Sequence, residues 1–146
     1  MTNNLNAVSL FSGLGGMDLG LIGGFSYLGN YYTENNVNIK YSMDFDKPTC
    51  DIFNSNFDHE CHHQDITQLD EKDVPAHDIL LGGFPCQSFS VSAQNPPRLG
   101  YNDDRGKLFF EMCRILKHHQ PRFFVAENVK GILSANKKKS IPSNYF

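Results

Sequence analysis

Short apolar runs alternate with helical stripes along this chain, and that alternation restricts the fold more than any other feature. Ala7 to Phe11 reads as a first strand, and after a cluster of glycines Leu14, Met17, Leu21, Ile22 and Phe25 fall on one helical face. Ile39, Tyr41 and Met43 alternate with polar neighbours as a second strand. Asp46-Lys47-Pro48 then opens a helix with an N-cap aspartate and a first-turn proline, placing Ile52 and Phe53 toward the core. A third strand near His62 to Thr67 is weakly signalled, whereas a fourth over Asp78 to Gly83 is clear. Leu108, Phe109, Met112, Ile115 and Leu116 give a further helical stripe, and Pro121 resets the chain into Phe123-Phe124-Val125-Ala126, a fifth strand. Strands separated by helices need crossovers, so the pattern predicts an α/β domain with a largely parallel sheet.

The 146 residues suffice for one domain with its own core. No apolar run approaches the ~20 residues of a membrane span, and Met1-Thr2-Asn3-Asn4 lacks the basic, apolar character of a signal peptide, so the expected setting is cytoplasmic, with no membrane partner. Four cysteines, Cys50, Cys61, Cys86 and Cys113, show no paired spacing, which fits reduced thiols rather than a disulfide or zinc framework. His59-Glu60-Cys61-His62-His63 has the residue types of a metal cluster, but neighbours in an extended segment point to opposite faces, and no metal is expected. Residues 90 to 106 are rich in Ser, Pro, Gly, Asn and Asp and predict a long loop. From Ser134 the chain turns polar and basic, so residues 1 to 133 are expected to form the domain and 134 to 146 a frayed tail.

Two junctions carry chemistry-bearing residues. In Gly82-Gly83-Phe84-Pro85-Cys86-Gln87 the thiol follows a buried strand directly, where a rigid backbone meets an accessible loop. A buried structural cysteine is the commoner fate of that residue type taken alone. In Phe11-Ser12-Gly13-Leu14-Gly15-Gly16 a glycine loop joins the first strand to the first helix, where doubly wound sheets bind adenosine-containing ligands. The loop is not the G-x-G-x-x-G dinucleotide fingerprint, and alone it reads equally as a tight turn. Asp44, at the tip of the second strand, is placed to accept hydrogen bonds from ribose hydroxyls.

Taken in order, Val8-Ser9-Leu10-Phe11-Ser12-Gly13-Leu14-Gly15-Gly16, Phe84-Pro85-Cys86-Gln87 and Glu127-Asn128-Val129 resemble the cytosine-5 DNA methyltransferases from Ala7 to about Leu133. The resemblance implies a doubly wound, Rossmann-like domain dependent on S-adenosylmethionine, incomplete here, acting in DNA methylation of the restriction-modification kind. It implies a cofactor pocket from Phe11, Gly13, Leu14, Gly15, Asp44, Phe45, Asp65, Ile66 and Pro85, with Asp44 standing where the family usually has glutamate. Phe45 would stack on adenine, and Asp65-Ile66 would meet its amine and ring.

It further implies that Cys86 adds to C6 of cytosine, which makes C5 nucleophilic enough to take a methyl group. Glu127 would handle the charge that develops at N3, and Asn128 would orient that carboxyl or the backbone. Because a stacked base is unreachable, the target must be flipped from double-stranded DNA. Gln87, Ser90, Arg98 and Arg105 would meet the nucleic acid on a loop that closes over it, with Gly100 and Gly106 as hinges. The family continues with a Gln-x-Arg-x-Arg strand, a target-recognition region and a C-terminal asparagine segment, none of which this sequence contains. A formal net charge of -3 also offers little phosphate affinity. The chain is therefore expected to be part of a split or truncated enzyme, with a second polypeptide supplying those parts. Two other readings fit the same motifs, a noncatalytic remnant that binds cofactor and a methyltransferase acting on transfer RNA.

Overall fold

The computed structural model describes residues 4–85 and 104–130, with side chains in the second stretch from residue 107. The expected tail over 134–146 and most of the loop over 90–106 lie outside the described residues. Seven strands are present among those described: β1 (Leu5–Leu10), β2 (Phe25–Tyr27), β3 (Asn30–Tyr32), β4 (Val37–Asp44), β5 (Cys61–His63), β6 (Ile79–Gly82) and β7 (Phe123–Ala126). The helices are α1 (Gly16–Ile22), α2 (Lys47–Asn54) and α3 (Asp104–His119). Five strands form one sheet in the order β5-β4-β1-β6-β7, and every neighbouring pair in it is parallel.

Central β1 shows why the sheet is covered on both faces. Val8 and Leu10 join Met43, Leu80, Met112 and Ile115 in one core, whereas Ala7 joins Ile39, Ile79 and Leu81 beneath Met17, Leu21 and Ile22 of α1. Alternate side chains of a strand thus feed opposite layers, α3 on one side and α1 on the other. Helix α2 lies on the α1 side, because Cys61, paired with Ser42, packs on Cys50 and Phe53. Asp46 caps α2 as expected, its carboxylate accepting from the Thr49 N–H at 3.0 Å, with Pro48 in the first turn.

Several local expectations need correcting. Ile39 does not share a face with Tyr41 and Met43: the register slips between Ala7 and Val8, leaving Lys40 as an extra residue, and this bulge inverts the pleat. Phe25 is not the end of the first helix. It belongs to β2, stacked at 5.0 Å on Tyr32 of β3 in an antiparallel hairpin the sequence reading missed. Ile52 is 52% exposed, and only Phe53 of that pair is buried. The third strand stops at His63, and Ile66–Gln68 form a 3₁₀ turn. The helix expected after residue 106 already includes Asp104, Arg105 and Gly106.

Candidate active site

The sheet order reverses direction at β1: β4 and β5 lie on one side of it and β6 and β7 on the other. The crevice outside the carboxyl ends of strands at such a switch point is where open α/β sheets bind ligands. A cavity of about 520 Å³ opens there, within the usual range for small-molecule sites. Its wall comes from the chain just beyond β1 (Phe11, Gly13), the end of β4 (Met43, Asp44, Phe45), the segment after β5 (Gln64 to Thr67), the exit of β6 (Gly83, Pro85) and Leu108 of α3.

The glycine loop is built by packing as much as by approach to a ligand. Gly15 has φ +84°, and a Cβ there would sit 2.3 Å from the Phe57 ring, so its glycine is demanded by α2 and the segment after it. Gly13 differs: with φ +56°, a Cβ there would meet nothing within 4 Å, and the residue borders the cavity. Phe11 holds φ 55°, an uncommon conformation for an aromatic residue and one that gathers at functional sites. Leu14 is 62% exposed and, like Gly15, does not line the cavity.

Asp44 ties this loop to β4. Its Oδ2 accepts the Gly13 N–H at 2.9 Å and its Oδ1 the Asp46 N–H at 3.0 Å. Each carboxylate oxygen can accept more than one hydrogen bond, which leaves capacity for ribose hydroxyls. Beneath the loop lies a carboxylate that sequence reading missed. Asp18 of α1 is fully buried, accepting from Ser9 Oγ at 2.7 Å and Ser42 Oγ at 3.0 Å, with His59 Nε2 at 3.4 Å. Ser12 Oγ donates to the Ser9 carbonyl at 3.1 Å and accepts the Met43 N–H at 3.2 Å, joining the network to the loop. An acid on the Leu14, Leu21, Ile22 stripe was the available signal, since a buried charge must be paired.

The Glu-Asn pair after β7 reaches across β6. The Glu127 N–H donates to the Gly82 carbonyl at 2.9 Å, and Asn128 Nδ2 donates to the Phe84 carbonyl at 2.9 Å. Asn128 Oδ1 accepts from the Val129 N–H at 2.9 Å, which fixes the amide's orientation. The Glu127 carboxylate overlies Gly83, with Oε2 3.6 Å from where a Cβ on Gly83 would be. Both residues therefore act on the backbone that leads into Pro85 and Cys86. Glu127 itself is exposed. Cys86, Gln87, Ser90 and Arg98 lie outside the described residues, and of Arg105 only the helical backbone is described.

A family model described as C-5 cytosine-specific DNA methylase matches residues 5–144. The chain belongs to that family. It is 40% identical over 139 residues to the type II methyltransferase M1.ScrFI of Lactococcus lactis subsp. cremoris, a match covering 95% of this chain and 32% of that relative. The type II methyltransferase M.HhaI of Haemophilus parahaemolyticus is 38% identical over 130 residues, 89% of this chain and 35% of its own length. Among solved structures, the S. pombe Dnmt2 methyltransferase matches with a TM-score of 0.63 and 25% identity, covering 89% of this chain and 38% of that one. The chain thus spans about a third of the length of the curated relatives it matches. The family depends on S-adenosylmethionine, and the cavity fits that group: an open glycine, a carboxylate with acceptor capacity and the apolar surfaces of Phe11, Phe45 and Ile66 line one crevice.

The remaining described cysteines suit structure better than nucleophilic chemistry. Cys50, Cys61 and Cys113 are free and buried. Burial pushes the Cys113 thiol up to about 11 and raises Cys61 further, its Sγ 3.6 Å from that of Cys50. Cys61 points into this core while His62 stacks on Tyr41, so the histidine-rich segment spreads its side chains apart. No group of three or more metal-binding side chains is found among the described residues. No described helix is long and apolar enough to cross a membrane.

Proposed function

We propose that this chain carries the cofactor-binding and catalytic elements of a DNA cytosine-5 methyltransferase. The observation that carries the reading is the convergence of the Glu127-Asn128 element on the backbone of Gly82 to Phe84, immediately before Pro85-Cys86 and beside the cavity. Asp44 and the Gly13 backbone hold the ribose end, and Phe45, Asp65 and Ile66 the adenine end. Bound S-adenosylmethionine supplies an electrophilic methyl group.

Cys86 adds as a thiolate to C6 of a flipped cytosine, which raises electron density at C5 for attack on that methyl. Loss of the C5 proton and of the thiolate then restores the ring. A free thiol is only about 3% ionised at pH 7, so the site must favour the anion. Glu127 meets the charge that builds toward N3, and an exposed glutamate gains that proton-sharing role once the base and a covering polypeptide exclude water. Asn128 keeps the strand exit in place. Gln87, Ser90, Arg98 and Arg105 contact the nucleic acid around the flipped base.

A polypeptide supplying target recognition completes the enzyme. Support comes from β7, the outer strand of the described sheet, whose Phe123, Phe124 and Val125 are 54%, 48% and 51% exposed. The test is labelled-methyl transfer to duplex DNA and to transfer RNA, with this chain alone and with a partner carrying the Gln-x-Arg-x-Arg and target-recognition elements. DNA methylation only with the partner is the expected result. Cys86→Ser should abolish both turnover and covalent trapping by 5-fluorocytosine DNA, and trapping that survives it defeats the assignment. Silence with every partner favours a cofactor-binding remnant, and transfer to RNA favours the third reading.

A further inference from the structure

Arg114, on α3, is far from the motifs discussed above, yet its guanidinium is spent on the wall of the cavity. Nη2 donates to the Ile66 carbonyl at 3.1 Å and to the Leu69 carbonyl at 2.8 Å. Nη1 bonds Glu71 Oε2, and Nε donates to Glu111 Oε2 at 2.9 Å. The segment it grips is the 3₁₀ turn Ile66–Gln68, which brings Ile66 and Thr67 to the cavity. A 3₁₀ turn is weakly held by its own hydrogen bonds. Here those are Gln68 N–H to the Asp65 carbonyl at 3.0 Å and Leu69 N–H to the Ile66 carbonyl at 3.3 Å. The forked, planar guanidinium supplies the external support, and only arginine serves two carbonyls and two carboxylates at once. Helix α3 also contributes Leu108 to the same cavity, so one helix sets two parts of the wall.

We propose that Arg114 is a positioning residue for the adenine end of the cofactor cavity, holding Ile66 and Thr67 at the spacing that selects the base. This rests on the cofactor reading above. The experiment is calorimetric titration of the chain with S-adenosylhomocysteine and with its hypoxanthine analogue, S-inosylhomocysteine, on wild type, Arg114→Lys and Glu71→Gln. Arg114→Lys keeps the charge but loses the fork, and it should weaken S-adenosylhomocysteine about tenfold, equivalent to ~1.4 kcal/mol, while shrinking the preference for adenine. Glu71→Gln, a milder change at a partly exposed partner, should move both in the same direction by a smaller factor. It carries the test if the arginine variant does not fold. A merely structural role would lower the melting temperature and leave the adenine preference of the folded molecules intact. Unchanged affinity and preference in both variants, with wild type binding normally, overturns the proposal alone. Failure of wild type to bind either compound overturns the cofactor reading and this proposal with it.

Discussion

Strands β1 and β7 are both rich in apolar side chains, but they meet opposite fates. Ala7, Val8 and Leu10 are fully buried between two helical layers, whereas Phe123, Phe124 and Val125 keep about half their surface in water. The register makes the contrast sharper. Phe124 pairs with Leu80, fully buried beside it, and Phe123 and Val125 pair with Ile79 and Leu81. Both faces of β7 thus keep far more surface in water than those of β6. Apolar sequence records what surface a strand needs, and only the neighbouring layers determine whether that need is met. An outer strand with apolar residues on both faces is the mark of a docking surface, because such patches favour association.

The largest effect expected is the difference between two alanine substitutions at one register position. Leu80→Ala should cost about 2–5 kcal/mol, the usual range for deleting a buried leucine. Phe124→Ala, on the same face one strand outward, should cost well under the ~3–5 kcal/mol typical of a buried phenylalanine. Urea unfolding of both variants measures the contrast. Equal losses would mean that β7 is already covered, for instance by self-association, and a concentration series would reveal it.

At the other side of the sheet the contrast is in ligand binding. Asp44→Asn preserves shape but removes the charge that holds the Gly13 N–H, and it should weaken S-adenosylhomocysteine by about 1–3 kcal/mol, as expected for a charge-assisted hydrogen bond. Phe123→Ala, at the far strand, should leave that affinity unchanged. Equal affinities for wild type and Asp44→Asn would take Asp44 out of the site, and a loss in Phe123→Ala would show that the two regions are coupled.

What could be read from sequence was mostly what is local. The strands of the main sheet, the Asp46 cap and the α3 stripe follow from residues adjacent in the chain, and Phe11, Gly13, Asp44, Phe45, Asp65, Ile66 and Pro85 converge on one cavity because their places at strand ends were legible. Family resemblance, rather than periodicity, nominated several of them. The bulge at Lys40 was not legible, since it is a property of pairing with β1. Nor were the long-range partners of Arg114, Glu71, Ile66 and Leu69, which lie 43 to 48 residues away in sequence. Gly15 shows the opposite error: a glycine in a ligand-binding pattern proves to be required by Phe57.

The smallest effect expected separates the two ends of the sheet, the carboxyl end bearing the cavity and the amino end bearing His77. Its Nδ1 lies 2.8 Å from the Pro75 carbonyl, an acceptor only, so Nδ1 carries the proton and Nε2 is the unprotonated nitrogen of the neutral ring. Among the described residues Nε2 is buried with no hydrogen-bond partner, and the His119 ring lies tilted against His77, its centroid 4.9 Å away. Burial holds the His77 pKa below its ordinary value, and His119 adds to that, against opposing contributions from the Pro75 carbonyl and Asp78. Above an ordinary histidine pKa of ~6.5 neither state binds the proton, so His77 contributes no pH dependence there. As pH falls below that value the unfolded chain takes up a proton that the folded ring resists, so stability declines until the folded ring is protonated too. His77→Gln keeps a donor for the Pro75 carbonyl and removes the titration. Its stability difference from wild type should therefore shift in the variant's favour between pH 7.5 and pH 5.5, and the shift should be small because the residue is only partly buried. A difference that is flat across that range, measured by urea midpoints, would show that the buried nitrogen finds a partner on protonation.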